Sequence, residues 1–514
     1  MNIANWLNDA ARRWPQRPAL FEGERLVSDY AGFATDVAAL AVALREQHGI
    51  VPGERVALFM KNCCEYLELF YAIWWAGAVA VPINCKLHRS EAAWIAENAE
   101  ARLVFTDEGA LFGAAQLHAG CVELAGRGEA LERLKADRGT APGPHSRSAD
   151  DLAWLFYTSG TTGRSKGVML SHGNLTAMSL CYPVDVDAVQ ADDAFVYAAP
   201  MSHGAGLYNF IHVRCGARHV IPVSRGFGAA ELFELARSHG QLSLFAAPTM
   251  VKRMTDEARR QGYAGEGIKS IVYGGAPMYL ADLQEALATF GPRLIQIYGQ
   301  GESPMTVTAL SRELIADRAH PHWQRLASSV GQAQSCVEVR VVDAQRQPLA
   351  PGVPGEIAVR GATVMRGYWR NDAATASTLV DGWLYTGDIG YLDEQGFLTL
   401  TDRSKDVIIS GGSNIYPREV EEVLALHPAV SEVSVVGEAE ADWGEIVVAF
   451  VVLHPGQRAD EQALNAWFVE RMASFKKPKR YLFREDLPKN SYGKILKTEL
   501  RQTLEQAAPA VAAS

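Results

Sequence analysis

Paired cysteines are the first thing this sequence lacks. Its seven (Cys63, Cys64, Cys85, Cys121, Cys181, Cys215 and Cys336) are odd in number and include no CxxC spacing. Neither a disulfide framework nor a zinc cluster is predicted, and a reducing cytoplasm fits. Adjacent Cys63 and Cys64 read as small buried hydrophobes rather than reactive thiols. A basic excess is missing too. Against 49 Lys and Arg stand 59 Asp and Glu, a net charge of −10, which argues against a dominant nucleic-acid or anionic-membrane surface. Long apolar runs are also absent: the most apolar segment, residues 69–82, suits a buried helix plus a strand and is too short to span hydrocarbon as one helix. The opening MNIANWLNDAARRWPQRP lacks a basic start followed by an apolar run, so no secretory signal and no integral membrane association are expected.

What is present is bulk and rhythm. With 514 residues, 48% of them hydrophobic, the chain can bury large cores and should form more than one folding unit. From 152 to about 297, the runs LAWLFY, AFVYAA, ARHVIPV, LSLFAAP, IKSIVYGG and RLIQIYG alternate with helix-period stretches such as AAELFELARSHG. That is the βα rhythm of a parallel sheet covered by helices, with ligand loops at the strand C-ends. An earlier βα unit at 56–83 suggests a related layer near the N-terminus. Residues 126–151 read as a loop, either a domain linker or a surface excursion, with the excursion favoured. From Val337, short strands broken by Gly, Pro and Asp predict antiparallel β, and a compact α+β pattern follows Arg403. The predicted fold class is α/β, with a large N-terminal domain (1–402) of layered, mostly parallel sheets and an antiparallel β subdomain. A small α+β C-terminal domain (403–514) follows, its AAPAVAAS tail frayed.

The segment YTSGTTGRSKGV (157–168) reads as a turn between two strands. Gly160, Gly163 and Gly167 permit backbone conformations closed to other residues and let successive N–H groups point at one anion. Ser159, Thr161, Thr162 and Ser165 add hydroxyls, and Lys166 adds a flexible cation able to follow β- and γ-phosphates. A Walker loop would need GxxxxGK[ST] opening a helix, and GTTGRSKG supplies neither. Composition therefore supports polyphosphate binding while leaving kinase and ligase chemistry open.

The order of residues in YTSGTTGRSKGV closely resembles the phosphate-loop signature of the acyl-CoA synthetase, luciferase and peptide-synthetase adenylation superfamily. APMSHGAG (199–206), YGGAP (273–277), YGQGE (298–302), YTGD (385–388), DRSKD (402–406), GGSNIYPREVE (411–421) and NSYGK (490–494) follow in that family's order and cover essentially the whole chain. The resemblance implies an AMP-forming ligase. A carboxylate attacks the α-phosphate of ATP, releasing pyrophosphate, and the thiol of coenzyme A then expels AMP; the alternative acceptor is a carrier-protein phosphopantetheine arm. ATP, Mg²⁺ and coenzyme A are the implied cofactors and a small carboxylic acid the implied partner, with no nucleic acid and a homodimer as the candidate oligomer.

By the same resemblance Thr158, Ser159, Gly160, Thr161, Thr162, Gly163 and Lys166 cradle phosphates, Gly274, Gly275, Ala276, Pro277 and Tyr298 surround the adenine, and Gly299 and Gln300 belong to the nucleotide-binding set. Asp388 and Arg403 take the ribose, and Glu302 with Thr158 holds magnesium. Lys494 becomes the adenylation lysine, delivered and withdrawn by a mobile C-terminal domain hinged at Asp402, and Gly411 and Gly412 border a pantetheine passage. His203 stands at the acyl-pocket entrance with Gly204, Ala205 and Tyr208 on the wall. Gating or carboxylate orientation is as open to it as general-base work. The implied catalytic set is Lys494, His203 and Lys166. PMSHGAGLYNF offers no acid to hold a substrate ammonium, which disfavours an amino acid, and no Arg pair suggests a dicarboxylate. One departure stands out: Gly301 occupies a place where such motifs usually carry Thr, so a phosphate contact is either missing or supplied by Ser303 or Thr161.

Overall fold

The computed structural model describes residues 1–109, 111–112, 117–118, 120–136, 142–158, 165–403, 406–410, 413–440, 443–489 and 494–507. Two sheets dominate. The first has six strands in the spatial order Val122–Ala125, Ala101–Thr106, Arg55–Phe59, Val79–Pro82, Leu152–Thr158 and Lys166–Ser171, parallel except for the last pair. The second has nine, with a parallel centre formed by Leu294–Gln300, Ile268–Tyr273, Leu242–Ala246, Ala194–Val196, Arg218–Ile221 and Pro18–Glu22. Antiparallel strands Ser303–Leu310 and Arg25–Asp29 flank that centre.

The helix Cys64–Trp75 explains how the two sheets share a core. It is apolar nearly all round, as a helix enclosed on every side must be, and it touches Val79–Pro82 of one sheet and Pro18–Glu22 of the other. Its Phe70 and Trp74 stack at 5.1 Å, and Trp74 stacks on Trp154 at 5.9 Å. Burying those rings fixes Leu152–Thr158, and with it the origin of the phosphate hairpin.

An antiparallel sheet of Val337–Val342, Gly355–Gly361, Leu379–Val380, Trp383–Leu392 and Leu398–Arg403 comes next, as the sequence predicts. The last sheet joins Ile408–Ser410, Ser413–Ile415, Val430–Glu440, Gly444–Leu453 and Arg480–Arg484, packed with helices Pro417–Ala425, Glu461–Val469 and Lys497–Ala507. Among the described residues no helix is long and apolar enough to cross a membrane.

Three details depart from the sequence reading. LAWLFY, read as the start of the later βα series, instead joins the first sheet beside Val79–Pro82. Residues 126–151 are not all loop: Gly128–Leu134 is a helix with Leu131 buried, and the stretch is tied back where Trp75 Nε1 donates to the Pro142 carbonyl at 2.8 Å. YTGD is no turn. Asp388 lies inside the strand Trp383–Leu392, at a register shift where Gly387 takes φ = 71°, a bulge conformation that favours glycine.

Candidate active site

Strands Leu152–Thr158 and Lys166–Ser171 pair antiparallel, with Thr158 opposite Lys166, so the phosphate loop springs from two residues fixed across a ladder. Ser159, Gly160, Thr161, Thr162 and Gly163 lie outside the described residues. The free edge of this hairpin is covered by residues 366–369. Met169 N donates to the Gly367 carbonyl, Arg366 N to the Met169 carbonyl and Trp369 N to the Gly167 carbonyl, at 2.9, 2.9 and 2.7 Å.

That covering segment brings in Tyr368, which the sequence reading missed. Lys166 Nζ lies 4.9 Å from the centre of the Tyr368 ring, a cation–π distance. The Tyr368 hydroxyl donates to Glu302 Oε1 at 2.7 Å, and burial next to that carboxylate pushes its pKa well up, so it stays a donor. The signal available in sequence is the Gly-aromatic pair in MRGYWR. It marks a bend but not which strand the bend lies against.

Glu302 sits with Gly301 in the two-residue turn between Gln300 and Ser303, which pair across a hairpin. The turn abuts the phosphate hairpin directly: a Cβ on Gly301 would stand 2.5 Å from Thr158 Cγ2 and 3.1 Å from Phe156 Cδ1. Glycine is therefore present because Thr158 and Phe156 fill the side-chain position. Ser303, one of the two residues expected to replace the lost hydroxyl, is fully buried with its Oγ bonded to Thr363 Oγ1 at 3.0 Å. It faces the core. Thr161, the other, is outside the described residues.

The same segment reaches the other end of the site. Tyr298 hydroxyl and Gln300 Nε2 both donate to Asp388 Oδ2, at 2.6 and 2.5 Å, and Gln300 also donates to the Thr386 carbonyl. Residues two apart on a strand share a face, which is why one carboxylate collects both. Arg403 is opposite Asp388, and Asp402 opposite Ile389, in the strand ladder. Tyr298 itself is buried in the core. Gly274 allows the close approach of its strand to the next, since a Cβ there would meet the Ile297 carbonyl at 2.5 Å. Gly275 is left-handed at φ = 83°, and Gly275 and Pro277 are exposed.

His203 immediately precedes the short helix Gly204–Leu207 and its ring is 4.9 Å from Phe156. Burial pushes its pKa down to about 4, so it is neutral near pH 7. A Cβ on Gly204 would stand 3.4 Å from Phe245. Phe245, half-buried and absent from the sequence-derived set, stacks on Tyr208 at 5.6 Å. Ala205 and Tyr208 are buried. Phe156 thus lies against His203, and Phe245, stacked on Tyr208, against Gly204.

Lys494 is partly exposed and lies three residues before the final helix, Lys497–Ala507, and Gly411 and Gly412 lie outside the described residues. Three residues on, Lys497 Nζ is 3.0 Å from Glu421 Oε1, and the other oxygen of Glu421 accepts from the Tyr279 hydroxyl at 3.2 Å. Tyr279 follows the YGGAP loop by two residues. One carboxylate thus ties the Lys494 end of the chain to the loop expected to meet adenine.

Comparison with known proteins identifies the family. Residues 7–369 match the AMP-binding enzyme family and residues 419–494 its C-terminal domain. The chain is 35% identical over 499 residues to the fatty acid–[acyl-carrier-protein] ligase ScoC of Streptomyces coeruleorubidus, covering 96% of this chain and 94% of that one. It is 35% identical over 504 residues to a feruloyl-CoA synthase of an Amycolatopsis species, covering 97% and 98%. ATP-bound MatB from Rhodopseudomonas palustris superposes with a TM-score of 0.89 at 31% identity, over 99% of this chain and 100% of that one. The chain therefore belongs to the AMP-binding enzymes, the adenylate-forming superfamily.

Proposed function

We propose that this protein is an AMP-forming acid–thiol ligase that activates a carboxylic acid as its acyl-adenylate and transfers the acyl group to coenzyme A. The observation that carries the reading is the segment 298–302: Glu302 at one end touches the side chain beneath Lys166, while Tyr298 and Gln300 hold Asp388 at the other. On this reading one strand and its turn serve both a polyphosphate end and a ribose end, as a nucleoside triphosphate requires.

In the first step a carboxylate oxygen bonds to the α-phosphorus and the bond to pyrophosphate breaks. Such chemistry depends on positioning and charge neutralisation. Lys166 and the hydroxyls and amides of 158–163 take the β- and γ-phosphates. Lys494 neutralises charge between the carboxylate and the α-phosphate. His203, held neutral, cannot balance the substrate's negative charge; it orients the carboxylate or accepts the thiol proton.

Among the described residues no cluster of three or more His, Cys, Asp or Glu could hold a metal. Glu302, in the turn that abuts Thr158, and the Thr158 hydroxyl would hold Mg²⁺, which takes one or two carboxylates and completes its shell with phosphates and water. When bound it supplies charge neutralisation on the departing pyrophosphate.

In the second step the thiol sulfur attacks the acyl carbonyl and AMP leaves. We read residues 403–514 as the moving domain and Asp402 as its hinge; the position of Asp402 near the end of the last antiparallel strand supports this. Gly411 and Gly412 would border the pantetheine arm. The aromatic rings of Phe156, Tyr208 and Phe245 favour an acid with an apolar or aromatic body over a dicarboxylate. The kinship with ScoC favours one second reading, transfer to a carrier-protein arm.

The test is pyrophosphate exchange with acid alone, then AMP release on adding coenzyme A or a phosphopantetheinylated carrier protein, across aliphatic, aromatic and dicarboxylic acids. Exchange with an apolar acid and AMP release with coenzyme A are expected. AMP release only with carrier protein would replace the acceptor, and no exchange with any acid would remove the ligase reading.

A further inference from the structure

Cys181 and Cys336 come together from distant parts of the chain, and nothing in the ligase reaction uses them. Cys181 lies one turn before the end of helix His172–Asp185 and Cys336 one residue before the strand Val337–Val342. Their meeting rests on neighbouring bonds. Ser335 donates to Asp185 through both its backbone N and its Oγ, at 3.0 and 2.6 Å. Residues 181 and 185 share a helix face, so the anchoring of Ser335 on Asp185 lays the next residue beside Cys181, near enough for each thiol to shift the other's protonation. The segment cannot drift away from the body. Gln334 Nε2 donates to the Met305 carbonyl at 2.7 Å, Ala362 N donates to the Cys336 carbonyl, and Asn174 on the same helix holds the Ala362 carbonyl at 2.8 Å.

The chemistry at this pair differs from that of the other cysteines. Burial pushes the thiols of Cys63, Cys64, Cys85, Cys121 and Cys215 up, which keeps them protonated and inert. Cys336 alone is pulled below the usual thiol value, because the Cys181 S–H and the Thr363 hydroxyl donate to its sulfur, while Cys181 is raised as the donor. Cys336 is also half-exposed and follows an exposed Ser335, so a small oxidant can reach it. Cys181 is buried behind it, where a resolving thiol belongs.

We propose that Cys181 and Cys336 form a dithiol that a hydroperoxide converts reversibly to a disulfide, bridging helix His172–Asp185 to the strand Val337–Val342. The Cys336 sulfur attacks one peroxide oxygen, the O–O bond breaks, and water leaves when the oxidant is hydrogen peroxide, giving a sulfenic acid. The Cys181 sulfur then attacks that sulfur, the S–O bond breaks, and hydroxide departs with the Cys181 proton as a second water. Two thiols are oxidised by two electrons and one peroxide is reduced. The bridge also bears on the ligase site, since Thr363, which donates to Cys336, bonds Ser303 next to Glu302.

Hydrogen peroxide treatment of the full chain, followed by denaturing alkylation and peptide mapping without reductant, tests this. Loss of two of the seven thiols, one linked peptide joining positions 181 and 336, and return of both thiols with dithiothreitol are expected. Cys336→Ser should slow thiol loss by at least about ten-fold, because the low-pKa attacking sulfur is gone, and Cys181→Ser should leave a sulfenic acid at 336 that dimedone traps. Thiol loss at Cys63 and Cys64 without a 181–336 peptide would overturn the proposal. The wild-type peptide map decides the matter even if a variant folds poorly.

Discussion

In the body, the site residues sit on strand ends and are locked by internal bonds: Glu302 by Tyr368, Asp388 by Tyr298 and Gln300, and the phosphate hairpin by residues 366–369. The unit carrying Lys494 is held differently. Among the described residues its buried apolar clusters contain no residue from the body, and polar contacts join it to the body: Tyr279 to Glu421 and to the Val433 carbonyl, Leu280 N to Glu422, and Lys252 to the Ser431 carbonyl. Apolar burial resists separation because its exposed area is not compensated, whereas water can replace most of what a polar contact loses. That contrast supports the proposed roles, a body that holds the nucleotide still and a smaller unit that is released from it.

The largest expected effect follows from that contrast. Lys494→Ala should lower acyl-adenylate formation by about 10²–10³-fold, the usual consequence of removing one transition-state charge partner. Thioester formation from supplied acyl-adenylate should change little. Equal loss of pyrophosphate release and of AMP release in single-turnover assays would break the division of labour.

Within the rigid region, Gly301→Thr would restore the hydroxyl expected at that position yet should damage the protein. Its Cβ would overlap Thr158 and Phe156, and overpacking of this kind destabilises by about 1–3 kcal/mol. Adding Thr158→Ala should recover most of the stability but not adenylation, because residues in contact couple non-additively while the Thr158 hydroxyl proposed for phosphate and magnesium is lost. A single variant as stable as the parent by thermal unfolding would show that the turn is looser than it looks.

Acid should separate the two regions by stability. His172 and His212 are buried in the body with pKa values pushed down to about 3 and 4, and His219 is lowered well below its usual value. The folded state refuses protons that the unfolded chain accepts from about pH 6.5 downward. The stability these groups contribute is thus fully present above 6.5, is lost as pH falls, and levels off only once the folded-state values, about 3 for His172, have been passed. His427 in the smaller unit is only half-buried and lowered less. Hydrogen exchange at pH 7 and pH 5 should show the larger loss of protection in the body, and a uniform loss would contradict this.

Much of this was legible in sequence because ligand loops follow apolar strands and carry glycine, hydroxyl and charge out of pattern. Period and composition do not say which sheet a strand joins. LAWLFY reads like its successors, yet Trp154 packs on Trp74 and draws it into the first sheet. The hairpin Pro18–Asp29 on the edge of the second sheet went unread because its alternation is short. A Gly-Asp pair reads as a turn and proved to be a bulge. Tyr368 under Lys166 was invisible for a different reason: it lies 66 residues from Glu302, and no local signal reports a contact made by tertiary packing.

The smallest effect tests the seam itself. Tyr279→Phe removes one hydroxyl that reaches both Glu421 and the Val433 carbonyl, contacts of 3.2 and 3.3 Å that are long for O–H donors. Its net worth should be about 0.5–1.5 kcal/mol, equal to a two- to twelve-fold shift between docked and undocked arrangements. Because Glu421 keeps Lys497 and the Val435 N–H, no buried carboxylate is left without a partner, and the thermal midpoint should hardly move. Adenylation should slow within that range while thioester formation from supplied acyl-adenylate stays level or rises, since the arrangement being weakened is the one that ties Lys497 to the adenine side. A fall in the second step alone would reverse the assignment, making this seam part of the thiol-transfer arrangement instead.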